Sequence, residues 1–156
     1  MTPTLLESTA LGIMTVGVLL NGLCLAVHSV FMFAVLRSHA LFSRAVPGLH
    51  GVTMLVASIL IATALIAISC FIQILIWTFV LWSTGQFDHV LDAMYFSSTT
   101  YTTLGASHRV LVAPYRVLEP LEATNGLLAT GLNTAILFAI MSNLARRRSG
   151  YEEFFH

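Results

Sequence analysis

The run Asp92-Ala93-Met94-Tyr95-Phe96-Ser97-Ser98-Thr99-Thr100-Tyr101-Thr102-Thr103-Leu104-Gly105 is rich in Thr, long enough for a short helix, and closed by a glycine. It lies between two strongly apolar segments, yet is itself too polar to cross a bilayer. A helix is expected over Asp88 to Tyr101. Tyr95, Phe96 and Tyr101 give it apolar faces, and Asp88 sits near its start, where a carboxylate is favoured by the helix dipole. A partly polar helix at membrane depth is tolerated only when protein buries it or when it lines a water-filled cavity. The run therefore reads as a re-entrant segment that needs a protein or aqueous surrounding.

Outward from this run, three segments are long enough to span a bilayer, which takes about 20 apolar residues. The first, near Leu11 to Leu36, carries no charge; Asn21 and His28 are its main polar groups. The second, Val52 to Trp82, would be roughly 46 Å long as one helix. That exceeds the hydrocarbon thickness, so it tilts or projects beyond the surface. The third runs near Thr124 to Leu144, with a start that can lie a few residues earlier. Hydrophobic residues make up 57% of the 156 and charged residues only 9%. Soluble domains carry roughly 25% charged residues, so the composition is that of a membrane protein.

All seven basic residues are Arg. Arg37 and Arg44 lie between the first two spans, and Arg146, Arg147 and Arg148 follow the third. Arg109 and Arg116 belong to the polar region between the second and third spans. The positive-inside rule then makes the first connection and the C-terminus cytoplasmic, with the N-terminus and the polar region outside. Trp77 and Trp82 are expected in an interfacial aromatic belt near the outer end of the second span. No basic start or cleavage site marks a removable signal peptide, so the first apolar segment is expected to be retained. The zero net charge gives no reason to expect nucleic acid as a partner. Cys24 and Cys70 fall inside apolar segments and read as small buried hydrophobes. His28, His39 and His50 are too widely spaced for a metal or haem site. No nucleophile–base pair, phosphate loop or paired carboxylates supports an enzyme.

From Phe87 to Ala145 the chain resembles the pore domain of the two-transmembrane, single-pore class of potassium channels. Small bacterial members carry Thr-Tyr-Thr-Thr-Leu-Gly followed by Tyr-Gly-Asp, and then a loop and helix similar to Leu121-Glu122-Ala123-Thr124-Asn125-Gly126-Leu127-Leu128. The resemblance implies an all-α membrane protein with three transmembrane helices, a re-entrant pore helix and a filter loop, assembled as a homotetramer. It divides the chain into an extra N-terminal helix with its cytoplasmic connection (1–49), a pore domain (50–148) and a short cytoplasmic tail (149–156). It also implies a multi-pass protein of the bacterial inner membrane. Its permeant ion would be potassium or another monovalent cation, with no further cofactor. Its partners would be its own copies, membrane lipids and, if the pore is silent, another membrane protein.

The resemblance maps ion-binding filter positions onto Thr102, Thr103, Leu104, Gly105, Ala106 and Ser107. In that family, backbone carbonyls replace the ion's hydration shell, which requires backbone handedness to alternate. Gly105 keeps one left-handed glycine position and Ser107 replaces the other, at roughly 1–2 kcal/mol per non-Gly residue. Ala106 removes an aromatic ring that packs behind the filter, and His108 replaces an Asp that tethers it. Inner sites at Thr103 and Leu104 are expected to survive while the outer ones do not. The expected result is weak selectivity, or a non-conducting scaffold that keeps the channel fold.

Glu119 and Glu122 flank Pro120 at the outer start of the third span. They read either as helix N-terminal carboxylates or as outer-mouth groups that attract cations or brace the filter. An ion pair with Arg109 or Arg116 would favour bracing. Gly131 reads as an inner-helix hinge or, with Gly126, as a small residue for close packing, which is the preferred reading. Asn125 and Asn133 are expected to face protein or pore rather than lipid. A hydrogen bond between His28 and Gln73 is expected inside the membrane. His108 reads either as an outer-mouth ring or as a loop residue at lipid headgroups. Four imidazoles at a mouth are near-neutral at pH 7 and cationic at pH 5. If they form that ring, cation flux into liposomes falls on acidifying the outer side, and His108→Gln removes the effect. Flux indifferent to external pH assigns His108 to the loop.

Overall fold

Long apolar stretches without an interior proline set the architecture. The computed structural model describes residues 3–45, 52–105 and 109–152. These form helices α1 (Pro3–Ala45), α2 (Val52–Ser83), α3 (Val90–Tyr101) and α4 (Leu118–Glu152), with a 3-10 turn at Tyr115–Val117 leading into α4. No strand occurs among the described residues. The expected order of two long helices, a short helix and a third long helix is present.

Among the described residues, three segments are long and apolar enough to cross a membrane: Glu7–Ser38, Thr53–Ser83 and Tyr115–Asn143, with mean hydropathies of 2.2, 2.7 and 1.4. Only 11%, 17% and 22% of their most apolar windows are buried within the chain. Helices that are apolar all round and mostly uncovered match a hydrocarbon solvent, not water. α1 and α4 both exceed their expected spans. α4 starts at Leu118 rather than near Thr124, because Pro120 falls in the first turn, where a missing N–H costs no helical hydrogen bond. At its other end α4 runs through Ser149 and Gly150 to Glu152, into the stretch read as a tail.

The chain divides into two compact units, Met1–His28 with Cys70–Ala129 and Ser29–Ser69 with Thr130–His156. In the second unit, Val35, Met54, Ser58, Ala62, Ile66, Ser69 and Ile140 are buried. On α2 the spacing of that set repeats every three or four residues, one face of a helix.

The first unit holds α3. Its apolar core joins Cys24, Trp77, Leu81, Phe87, Ala93, Phe96, Leu111 and Leu118. The Phe87 and Phe96 rings lie 5.2 Å apart at a tilt. Trp77 belongs to this core and is fully buried, which corrects its placement in an interfacial belt; Trp82 is exposed. α1 is bound in by polar contacts. Asn21 Nδ2 donates to the Leu121 carbonyl of α4 at 2.9 Å. His28 Nδ1 and Gln73 Nε2 of α2 lie 3.1 Å apart, as expected.

α4 meets the end of α3 at Gly126. A Cβ there would stand 1.8 Å from the Tyr101 carbonyl oxygen, whereas one at Gly131 would meet nothing within 4 Å. Gly126 is thus a packing glycine, and no close contact within the chain requires Gly131. Overpacking costs about 1–3 kcal/mol or more, while replacing an unhindered helical glycine by alanine gains up to about 1 kcal/mol. Gly126→Ala should therefore lower the melting temperature in detergent by several degrees, and Gly131→Ala should leave it unchanged or raise it. Equal effects from the two would contradict this contact.

Candidate functional site

The Thr-rich run folds as α3 followed by an exposed turn, Thr102 to Gly105. α3 buries Ala93, Phe96, Ser97, Thr99, Thr100 and Tyr101. Leu91 and Tyr95 are exposed on the opposite side at 73% and 57%, so Tyr95 does not share the buried face with Phe96 and Tyr101. The helix begins at Val90, with His89 at its N-cap and Asp92 in its first turn. Asp88, expected near the start, immediately precedes the N-cap, and its carboxylate lies 3.8 Å from the Arg109 guanidinium.

That ion pair helps close the base of the excursion. The Arg109 guanidinium also stands over the Phe87 ring at 5.7 Å, a favourable cation–aromatic placement. Beside them, the Val112 N–H donates to Gln86 Oε1 at 3.1 Å. The chain thus leaves α2, runs through α3, and returns to within hydrogen-bonding distance of where it left.

α3 ends in a Schellman arrangement. The Thr103 N–H donates to the Thr100 carbonyl at 2.9 Å and the Leu104 N–H to the Thr99 carbonyl at 2.8 Å. These are the two reversed bonds that satisfy terminal carbonyls, and they require a left-handed residue just past the cap. Here that residue is Thr103, at φ +58. Gly105 is also left-handed, at φ +61, while Leu104 between them is not. Handedness therefore alternates over Thr103, Leu104 and Gly105. Gly105 was expected to be left-handed and Thr103 was not. The clue was present in the composition: a helix ending in Thr-Thr-Leu offers no glycine where the motif needs one.

Side chains reinforce this end. Thr102 Oγ1 donates to the Ser98 carbonyl at 2.7 Å, Ser98 Oγ to Met94 O at 2.7 Å, and Thr99 Oγ1 to Phe96 O at 2.9 Å. Such back-bonding keeps hydroxyls against their own helix. Thr102, Thr103, Leu104 and Gly105 are all exposed within the single chain. Leu104 is 70% exposed, so the apolar contact that usually accompanies a Schellman end is not made by its own helix. Ala106, Ser107 and His108 lie outside the described residues.

Behind α3, Glu119 and Glu122 of α4 separate in role. Glu119 lies in the first turn of α4, where the dipole favours it. Glu122 is fully buried, and its Oε1 is hydrogen-bonded to Ser97 Oγ of α3. Among the described residues, the hydrogen-bond partner of Glu122 is thus a serine of α3 rather than an arginine. Ser97 Oγ also reaches the Ile74 carbonyl of α2 at 3.1 Å. Asn125 is fully buried. Among the described residues, no three His, Cys, Asp or Glu side chains come together as a metal-ligand set. Comparison with protein-family models, with curated proteins and with solved structures finds no match to this chain.

A β-branched residue at positive φ is a strained choice. Thr103→Gly relieves roughly 1–2 kcal/mol of that strain, partly offset by the greater freedom of glycine in the unfolded chain. Circular dichroism melts should show Thr103→Gly equal to or above the parent. A loss of several degrees would mean that the left-handed turn is not kept in solution.

Proposed function

We propose that this chain is one subunit of a tetrameric cation channel, or channel-like pore, of the potassium-channel family, with altered or reduced selectivity. The observation that carries the reading is the alternation of handedness at Thr103, Leu104 and Gly105, directly after a short helix packed against α4. Alternation of this kind turns successive carbonyls to the same side, which a carbonyl-lined ion path requires. The exposure of Thr102 to Gly105 supports it further, since one chain leaves the segment uncovered and further copies would enclose it. In this reading α2 is the outer helix, α3 the re-entrant pore helix and α4 the inner helix. α1 is an addition docked on α2 and α4.

The distribution of Arg supports an N-terminus outside and a C-terminus in the cytoplasm, in a bacterial inner membrane. Membrane lipids and its own copies are the partners, and a monovalent cation, potassium first, is the transported species. No enzymatic role is proposed. A second reading rests on Ala106, Ser107 and His108, which depart from the family pattern at every position: a tetrameric membrane scaffold that does not conduct and binds lipid or another membrane protein.

Purified protein in liposomes separates the two. A channel passes potassium, sodium or both above empty vesicles. The combined changes Ala106→Tyr, Ser107→Gly and His108→Asp should then raise preference for potassium over sodium. A verified tetramer without flux establishes the scaffold, and a monomeric protein in detergent and in bilayers defeats both readings.

A further inference from the structure

The Glu122–Ser97–Ile74 contact contains more atoms able to accept a hydrogen than protons to share. Ser97 is fully buried. Its hydroxyl touches Glu122 Oε1 on one side and lies 3.1 Å from the Ile74 carbonyl oxygen on the other. A serine hydroxyl has one proton to donate, a backbone carbonyl can only accept, and an ionised carboxylate can only accept. With Glu122 ionised, one of the two contacts holds two oxygens together with no hydrogen between them. With a proton on Glu122, both bonds form: the carboxylic acid donates to Ser97 Oγ, and Ser97 donates to the Ile74 carbonyl.

The charges around the group agree. Glu122 is fully buried, and its second oxygen, Oε2, has no hydrogen-bond partner among the described residues. Among the described residues, the ionisable groups that bear on it are Cys24 of α1, Tyr101 of α3 and Glu119 of α4, with Cys70 of α2 beside Tyr101. None of these side chains becomes a cation. An ionised carboxylate taken out of water costs several kcal/mol even after relaxation, unless it is paired and well hydrogen-bonded. One shared serine hydroxyl does not meet that requirement.

We infer that Glu122 is held as a neutral carboxylic acid, donating to Ser97 in a relay that ties α4, α3 and α2 together at one point. Glu122 is a positioning residue. It does not belong to the exposed turn at Thr102 to Gly105, but it sets the height of α3 one helical turn before that turn begins. The relay depends only on the three helices of this unit, and it holds whether or not an assembly conducts ions.

Infrared spectra of the purified protein at pH 7, with carbon-13 in the glutamate carboxyl groups, test this. The parent should show a labelled carboxylic-acid carbonyl band, absent from Glu122→Gln. Ser97→Ala should keep the band and move it to higher frequency, because the acid loses its acceptor. Glutamine can still donate an N–H to Ser97, so Glu122→Gln should melt within about 2 °C of the parent, while Glu122→Ala melts at least about 5 °C lower. Should Glu122→Gln fail to fold, the band in the parent and its shift in Ser97→Ala decide alone. A parent spectrum with only ionised carboxylate bands overturns the inference, as does an acid band that persists in Glu122→Gln.

Discussion

The Gly126 contact with the Tyr101 carbonyl constrains everything around α3. The distance leaves no room for a side chain, so α3 and α4 meet backbone to backbone. Close backbone approach is how membrane helices gain van der Waals contact when hydrocarbon offers no hydrophobic drive between them. Once that approach is set, the side chains one turn earlier on each helix have few options. Ser97 and Glu122 face each other, Ile74 of α2 is close enough to join them, and the position of the Thr-rich end follows.

The end itself is governed by hydrogen-bond accounting rather than by composition. A helix leaves four carbonyls without partners at its C-terminus. α3 satisfies those of Thr99 and Thr100 by turning left-handed at Thr103, and hydroxyls of its last turns bond back along the same helix. The strain at Thr103 is therefore the cost of closing α3 with the residues available. The turn that results is also the one that a carbonyl-lined path would use. Helix termination and the ion path proposed above would make compatible demands on the same four residues.

The long helices were legible in the sequence because hydropathy over 20 or so residues is a strong signal, and α3 was legible because polar sequence between spans has few alternatives. The His28–Gln73 pair was legible for a related reason: two strong polar groups in separate apolar spans need each other. What could not be read was which face of each span turns inward. α1 and α2 are apolar nearly all round, so periodicity does not distinguish a buried Trp77 from an interfacial one. The partner of Glu122 was sought among arginines because charge suggests charge. A buried carboxyl group beside a small serine satisfies itself differently, and that choice depends on a helix packing that the sequence does not display.

Asn21 and the Leu121 carbonyl stand 100 residues apart in the chain, and His28 and Gln73 stand 45 apart. A chain made from its N-terminus therefore completes α1 well before either partner exists. His28 can be satisfied once α2 is made, but Asn21 must wait for α4. α1 is thus made with an amide whose carbonyl partner arrives only with Leu121. The order of synthesis gives this helix two successive docking events, the second when α4 arrives.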